Sequence, residues 1–462
     1  MSAMMSLAQA AKAMSASFSG DGALMMSGVS TDTRSLKQGD LFIALEGPNF
    51  DAHTLLAQAR EKGAVAAVVH RDIDDELLQL NVADTRLALG QLAAAWRQQF
   101  QGQLVAVTGS NGKTTVKEML ASIFAQSGQV LATSGNFNND IGMPLTLLNL
   151  RPQHDYAVIE MGANHMGEIA YLTALAQPQV ALVNNVGGAH IEGFGSLENI
   201  AKAKAEIWQG LVDGGVAVIN IDDQFAPQWL AGLNHRPRLT FGNNGDVSLQ
   251  ANQGFCWRNE RFANRFTLQT PEGMLDIDLP LAGEHNVKNA MAAAAVALAV
   301  GVGLNTIKHG LEIMLPVKGR LQAKSSRWGQ LVLDDSYNAN PASVKAAIHV
   351  LAAMAGEKIL VLGDMGELGP EAAAMHHQVG CIATQEKIDR LFAVGELSRQ
   401  CAAGFGEGAQ WFATREALIQ ALNAYLSETS QAVTVLVKGS RGSAMDKVVD
   451  ELVVPVAVKE GA

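Results

Sequence analysis

The chain has 462 residues, 48% of them hydrophobic, which is enough for several buried cores and, at roughly 100–200 residues per domain, for three domains. Thirty-four basic against 45 acidic residues give a net charge of −11, which excludes any global attraction to nucleic acid or anionic lipid and means that an anionic substrate must be met by local positive charge. Three cysteines, Cys256, Cys381 and Cys401, without a CxxC pair argue against a disulfide framework or a zinc site and fit a reducing compartment.

The N-terminal apolar residues are interrupted by Gln9, Lys12 and Ser15, so no signal-peptide core is expected. Nor is there a run of about 18 apolar residues, so no membrane insertion is expected and the cytoplasm is the default. Residues 1–83 read as a small α/β unit: a helix over 7–14, a strand over 40–45, a helix over 52–62 and a strand over 65–69. Polar loops at 30–35 and 47–49 flank those strands, where an anion or sugar can bind or where water alone solvates the loop.

A helix over 85–99 opens the second unit, residues 84–315. It leads into the apolar run 104–108 and the loop Thr108, Gly109, Ser110, Asn111, Gly112, Lys113, Thr114, Thr115, followed by a helix from Lys117. A strand, a glycine-bounded loop and a helix make a triphosphate site: backbone N–H groups converge, Lys113 adds a point charge and the Thr114 hydroxyl faces magnesium. The general motif places four residues between its glycines, whereas this loop has two, and an ordinary Gly-rich turn is the alternative.

Strand and helix patterns then alternate through strands at 156–161, 180–184 and 216–220 and helices at 167–175 and 197–211, implying parallel strands with right-handed crossovers. Ligands of such sheets gather at the carboxyl ends of the strands, which draws notice to Glu160 and to His190 shortly after Asn184. Short segments between 238 and 281 look antiparallel, a helix starts at His285, and Leu315-Pro316 ends the unit. From 331 to 438 the alternation restarts in a third unit, 316–462, again doubly wound.

Several constellations carry chemistry. On the helix 197–211, Ile200, Ala203, Ile207, Trp208 and Leu211 form one face, and Lys204 lies inside it. Lys202 shares the other face with Glu198, Glu206 and Gln209. Lys204 either snorkels its ammonium outward or is held neutral by burial, free to be modified. The loop 135–144, with Asn136, Asn138 and Asn139, is dense in donors and acceptors and is either a substrate contact or a plain loop. Asn286 and Asn289 open a helix, where asparagine caps or binds a base or ribose. Arg320 and the 334–341 segment, with Asp335, Asn338 and Asn340, stand where a hinge can bring charge onto a nucleotide. The 363–369 loop, His376 and Lys438 follow other strand ends.

The joint order of these motifs resembles the ATP-dependent Mur ligases of peptidoglycan synthesis, to which folylpolyglutamate synthetase is related. The resemblance rests on TDTR at 31–34, GDLF at 39–42, the compact loop 108–115, GNFNN at 135–139, EMGAN at 160–164, AHIEGFG at 189–195, DSYNAN at 335–340 and KGSR at 438–441. It covers essentially the whole chain; only the first 28 residues lack a family motif.

The resemblance implies an α/β protein of three domains. These are a small N-terminal α/β domain (1–83) for the UDP end of the substrate, a central P-loop ATPase with a parallel sheet plus a small antiparallel sheet (84–315), and a C-terminal Rossmann-like domain (316–462) for the incoming amine. It further implies ATP and two Mg2+ ions, with Lys113 on the phosphates, Thr114 and Glu160 on one metal, and His190 with a carbamylated Lys204 on the second. Asn286, Asn289, Arg320 and Asp335 match family positions around the nucleotide. Thr31, Arg34, Asn136, Asn138, Asn139, Asn338, Asn340 and Lys438 are the expected substrate contacts. The closest motif match implies UDP-N-acetylmuramoyl-tripeptide and D-alanyl-D-alanine as substrates, a monomer, and no nucleic-acid partner; a sister ligase adding a single amino acid and a P-loop switch are the alternatives.

Overall fold

The structure, a computed structural model, describes residues 3–188 and 191–453. It carries four principal sheets. The first holds four parallel strands in the order Gly28–Ser30, Asp40–Ile43, Ala66–Val69 and Gln79–Asn81. The helix Leu7–Met14 forms as expected, closed at its start by a capping box between Ser6 and Gln9. The expected helix over 52–62 is split into a 3-10 turn, Ala52–Leu55, and a short α-helix, Leu56–Glu61.

The central sheet is six-stranded and wholly parallel, in the order Val130–Ala132, Tyr156–Glu160, Gln103–Thr108, Val180–Val183, Val216–Asn220 and Arg238–Phe241. Side chains of the strand Gln103–Thr108 alternate: Leu104 and Ala106 join the core shared with the helix Thr85–Arg97, while Val105 and Val107 face the helices Lys113–Phe124 and Glu284–Val300. Burial on both faces explains why these strands read as unbroken apolar runs. The chain winds away from this strand in both directions, so its carboxyl end lies at the switch point where such sheets bind ligands.

Arg238–Phe241 corrects one expectation, for it completes the parallel sheet instead of starting the antiparallel part. That part is a three-stranded meander, Ser248–Arg258, Arg261–Thr270 and Gly273–Leu279, longer than the sequence pattern indicates. The helix Glu284–Val300 buries almost all of its alanines, whose small side chains let it lie close against Lys113–Phe124. The helix Leu304–Glu312 follows; its Gly310 is so near Ile123 that a Cβ would stand 2.4 Å from the Ile123 Cα.

The last sheet runs Gln322–Ser325, Leu331–Asp335, Val433–Lys438, Glu357–Gly363, Arg390–Val394 and Ala409–Phe412. It is parallel except for its first, edge strand. The helix Pro341–Ala352 is set by Asn340, whose side chain accepts from Ser343 N at 2.9 Å, with Pro341 at the first helical position. Among the described residues no helix is long and apolar enough to cross a membrane.

Candidate active site

The chain leaves Thr108 and turns into the helix Lys113–Phe124, which begins at Lys113, before the Lys117 start that the apolar pattern indicates. Thr114, Thr115 and Lys117 mask the pattern because they are polar yet buried. Gly112 caps this helix with φ +79°, and a Cβ there would stand 2.3 Å from Asn289 Oδ1 and 2.6 Å from Asn184 Nδ2, so glycine is required twice over.

Asparagine amides hold the loop in shape. Asn111 N donates to Asn185 Oδ1 at 2.8 Å, and Asn184 and Asn185 each donate from Nδ2 to Asn111 O at 3.0 Å. Asn184 Nδ2 also reaches Asn289 Oδ1 at 3.0 Å, Asn289 donates to Asn286 Oδ1 at 3.1 Å, and Asn286 to Ala282 O at 2.8 Å. Asn286 and Asn289 therefore sit beneath the loop as a buried relay to the helix Glu284–Val300. The relay through Asn184 and Asn185 was missed in the sequence, although two adjacent asparagines ending a strand are a usable signal.

Lys113 Nζ donates to Gly109 O at 2.8 Å, and burial, reinforced by Arg320 and opposed by Glu160, lowers its pKa. Thr108 Oγ1 donates to Met161 O at 2.8 Å, tying the loop's strand to the one that ends in Glu160. Glu160 is 2% exposed; its Oε1 accepts from Asn138 Nδ2 at 2.8 Å, and its N–H donates to Thr133 Oγ1 at 2.9 Å. Its Oε2 is buried without a hydrogen-bond partner. A buried carboxylate oxygen left alone is costly, and a hard cation held together with the Thr114 hydroxyl relieves it. The donor set thus fits magnesium.

Lys204 lies on the helix Leu197–Ala205, capped by Ser196. It is 2% exposed while Lys202 is exposed, as the apolar stripe indicates. Burial lowers the Lys204 pKa well below its ordinary value and Lys113 lowers it further, so the amine is held toward its neutral form. The helix tightens at Ala205 into the 3-10 turn Glu206–Gly210. This overturns the placing of Glu206 on the outer face: it turns inward, accepting from Gly167 N and Ala170 N at the start of the helix Glu168–Ala176. His190 lies outside the described residues.

The last sheet contributes across the gap. Arg320 lays its guanidinium over the Tyr337 ring at 4.3 Å and approaches Thr114 Oγ1 with Nη2 at 3.4 Å, while its Nε is buried without a partner. Asn340 Nδ2 donates to Asn111 Oδ1 at 2.7 Å. Behind them Lys438 Nζ donates to Asp335 Oδ2 at 2.6 Å and to Asn338 O at 2.9 Å. Lys438 is 1% exposed; burial lowers its pKa against the pull of Asp335. Near this pair His285 is pushed down to about 4, mainly by burial, with Asp335 opposing, which keeps the imidazole neutral at physiological pH.

These groups frame a cleft of about 1670 Å3. Of the sequence-predicted residues, Ser110, Asn111, Gly112, Lys113, Thr114, Glu160 and Arg320 line it, with Asn136, Asn138, Asn139, Asn338 and Asn340. Lys204, Asp335, Asn286, Asn289, Thr115 and Lys438 are buried behind the wall, where they support or charge it. Thr31 and Arg34 are not in the lining; they follow the strand Gly28–Ser30, where Arg34 grips Asp32 at 2.6 Å and helps hold that carboxyl at about 2. The pair Arg86 and Asp140, 54 residues apart, also lines the cleft; Asp140 belongs to the loop 135–144, but no spacing announces Arg86 as its partner.

Three family models match the chain: "Mur ligase family, catalytic domain" over residues 26–97, "Mur ligase middle domain" over 107–297, and "Mur ligase, glutamate ligase domain" over 319–441. A UDP-N-acetylmuramoyl-tripeptide–D-alanyl-D-alanine ligase of Escherichia coli is 49% identical over 432 residues, 93% of this chain and 94% of that one. The structure of the UDP-N-acetylmuramoylalanyl-D-glutamyl-2,6-diaminopimelate–D-alanyl-D-alanyl ligase from Acinetobacter baumannii, 40% identical, matches with a TM-score of 0.89 over 97% of this chain and 98% of that one. MurF ligase from Thermotoga maritima in complex with ADP, 27% identical, matches with a TM-score of 0.80 over 92% and 96%. The chain belongs to the Mur ligase family.

Proposed function

We infer that the chain is an ATP-dependent ligase that joins D-alanyl-D-alanine to the terminal carboxylate of UDP-N-acetylmuramoyl-tripeptide in cytoplasmic peptidoglycan precursor synthesis. The observation that carries this reading is the meeting, in one cleft, of a phosphate loop with Arg320 and Asn340 from the far side. That meeting supports a reaction between a nucleotide-activated group on one wall and an amine delivered from the other. On this reading segments 1–83, 84–315 and 316–462 take the UDP end, the ATP and the amine.

A carboxylate oxygen of the tripeptide attacks the γ-phosphorus and ADP leaves, giving an acyl phosphate. The dipeptide amine then attacks the acyl carbon. The resulting tetrahedral centre breaks its bond to the phosphate oxygen and loses the amine proton, leaving a peptide bond and inorganic phosphate. Lys113 and the loop N–H groups hold the transferred phosphoryl, and Arg320 counters charge that builds on it. Two magnesium ions would supply further neutralisation; Thr114 and Glu160 would hold one, and His190 with Lys204 would hold the other. For that role the neutral Lys204 amine attacks CO2 and releases a proton, becoming a carbamate. Closure of the cleft keeps water from the acyl phosphate.

The test is phosphate release from ATP, Mg2+ and UDP-N-acetylmuramoyl-tripeptide with each candidate amine. Release that requires D-alanyl-D-alanine supports the reading. Release with a single amino acid but not the dipeptide assigns a sister ligase, and release without any carboxylate substrate assigns an NTPase switch.

A further inference from the structure

Arg86 and Asp140 form an ion pair on the cleft wall that the reaction above does not use. Arg86 Nη2 donates to Asp140 Oδ1 at 2.8 Å and its Nε donates to Asp140 Oδ2, a two-pronged contact between side chains 56% and 31% exposed. An ion pair this open contributes little to stability, because water screens it. Both stand on backbone that neighbouring side chains fix. Arg86 is in the first turn of the helix Thr85–Arg97, where Asp84 accepts its backbone N–H at 2.7 Å. Asp140 follows Asn139, whose Oδ1 accepts from Gly142 N at 2.9 Å, and the loop continues directly into the helix Gly142–Leu148.

Asp140 is also two residues from Asn138, which holds the buried carboxylate of Glu160 at 2.8 Å. Asp140 therefore lies within roughly 7 Å of chain from the residue that steadies Glu160. Arg86 and Asp140 line the same cleft as Glu160 and the phosphate loop, so on the ligase reading the terminal residue of the tripeptide reacts in the cavity that the pair faces.

We propose that Arg86 and Asp140 form a receptor for the side chain of the tripeptide's third residue, selecting one that ends in an ammonium and a carboxylate on the same carbon, as 2,6-diaminopimelate does. The proposal rests on the ligase reading. A zwitterionic end replaces the internal ion pair with two charge-assisted contacts, its carboxylate on the planar fork of Arg86 and its ammonium on Asp140. A lysine side chain brings only the ammonium. It takes Asp140 and leaves the guanidinium without its partner, which is how a polar site rejects an analogue lacking one group.

The experiment measures kcat/KM for UDP-N-acetylmuramoyl-tripeptides ending in diaminopimelate and in lysine, with ATP and D-alanyl-D-alanine saturating, in the wild type, Arg86→Met and Arg86→Lys. The wild type is expected to prefer the diaminopimelate peptide by about 30-fold or more, and Arg86→Met to cut that ratio by about 30-fold, chiefly through KM, because a bidentate contact is lost. Arg86→Lys retains charge without the fork and falls between. A wild type without preference, or a ratio that Arg86→Met leaves unchanged while ligation persists, overturns the proposal alone. A wild type that ligates neither peptide overturns the ligase reading and the proposal with it.

Discussion

Asn340 donates from Nδ2 to Asn111 Oδ1 at 2.7 Å, joining the last sheet's first long helix to the phosphate loop of the central sheet. The same side chain caps that helix through Ser343 N at 2.9 Å, so one residue both starts an element and docks it. The two roles separate by mutation. Asn340→Ser keeps the cap and is too short for the bridge; it is expected to retain stability and lose about 10-fold or more in kcat, as for a mispositioned reactive group. Asn340→Ala loses both, with about 1 kcal/mol of stability gone in denaturant unfolding. Equal stability of the two variants would refute the capping role.

Gly112 is a second sensitive point. Gly112→Ala forces a methyl against Asn289 and Asn184 at a backbone angle suited to glycine, a cost of about 1–3 kcal/mol. ADP affinity measured by calorimetry should fall at least about 10-fold as the loop is displaced. Unchanged affinity would mean that the amide relay does not shape the phosphate site.

Glu160 leaves Oε2 buried and unpartnered. Chelation of magnesium should abolish phosphate release, and adding the ion back should restore it. Glu160→Gln should raise the magnesium concentration needed for half-maximal rate by about 10-fold or more, since a neutral amide is a poorer ligand. A variant with the wild-type magnesium requirement would remove Glu160 from the metal.

Lys204 is held toward its neutral form, mainly by burial, whereas the unfolded chain binds a proton at the ordinary lysine pKa near 10.5. The unfolded state thus binds more protons over the window below 10.5, so this group lowers stability as pH falls and the loss fades as pH rises toward 10.5. Lys204→Met should flatten the rise of unfolding free energy between pH 7 and 10 and lower ligation by about 1000-fold, with partial rescue by a short-chain carboxylate. Lys202→Met, an exposed control, should leave both unaltered. A Lys204→Met protein with full activity would eliminate the carbamate role.

Much of this site was legible because its chemistry is local in sequence. The loop 108–115, the apolar stripe around Lys204 and the strand-end Glu160 are visible as candidates in the sequence. Spacing alone left a Gly-rich turn and a snorkelling lysine open, and their roles came from the resemblance to the Mur ligases. What escaped depends on pairings that no period encodes. Arg86 meets Asp140 across 54 residues, and Asn340 meets Asn111 across 229. Glu206 was misplaced because a 3-10 turn breaks the 3.6-residue period at Ala205, rotating an outward position inward. Arg238–Phe241 was misassigned because its partner, Val216–Asn220, is the preceding strand of a parallel sheet, whereas local composition resembles the meander that follows. Fold class was the easier inference, since sheets covered on both faces write long apolar runs into the chain.

The central claim is that a carboxylate is phosphorylated before the amine attacks. The most direct measurement uses UDP-N-acetylmuramoyl-tripeptide with 18O in both oxygens of its terminal carboxylate, together with ATP, Mg2+ and D-alanyl-D-alanine, and determines by mass spectrometry where the label goes. One 18O per turnover in the released inorganic phosphate is the predicted result. Inorganic phosphate free of label while the peptide bond forms would contradict it.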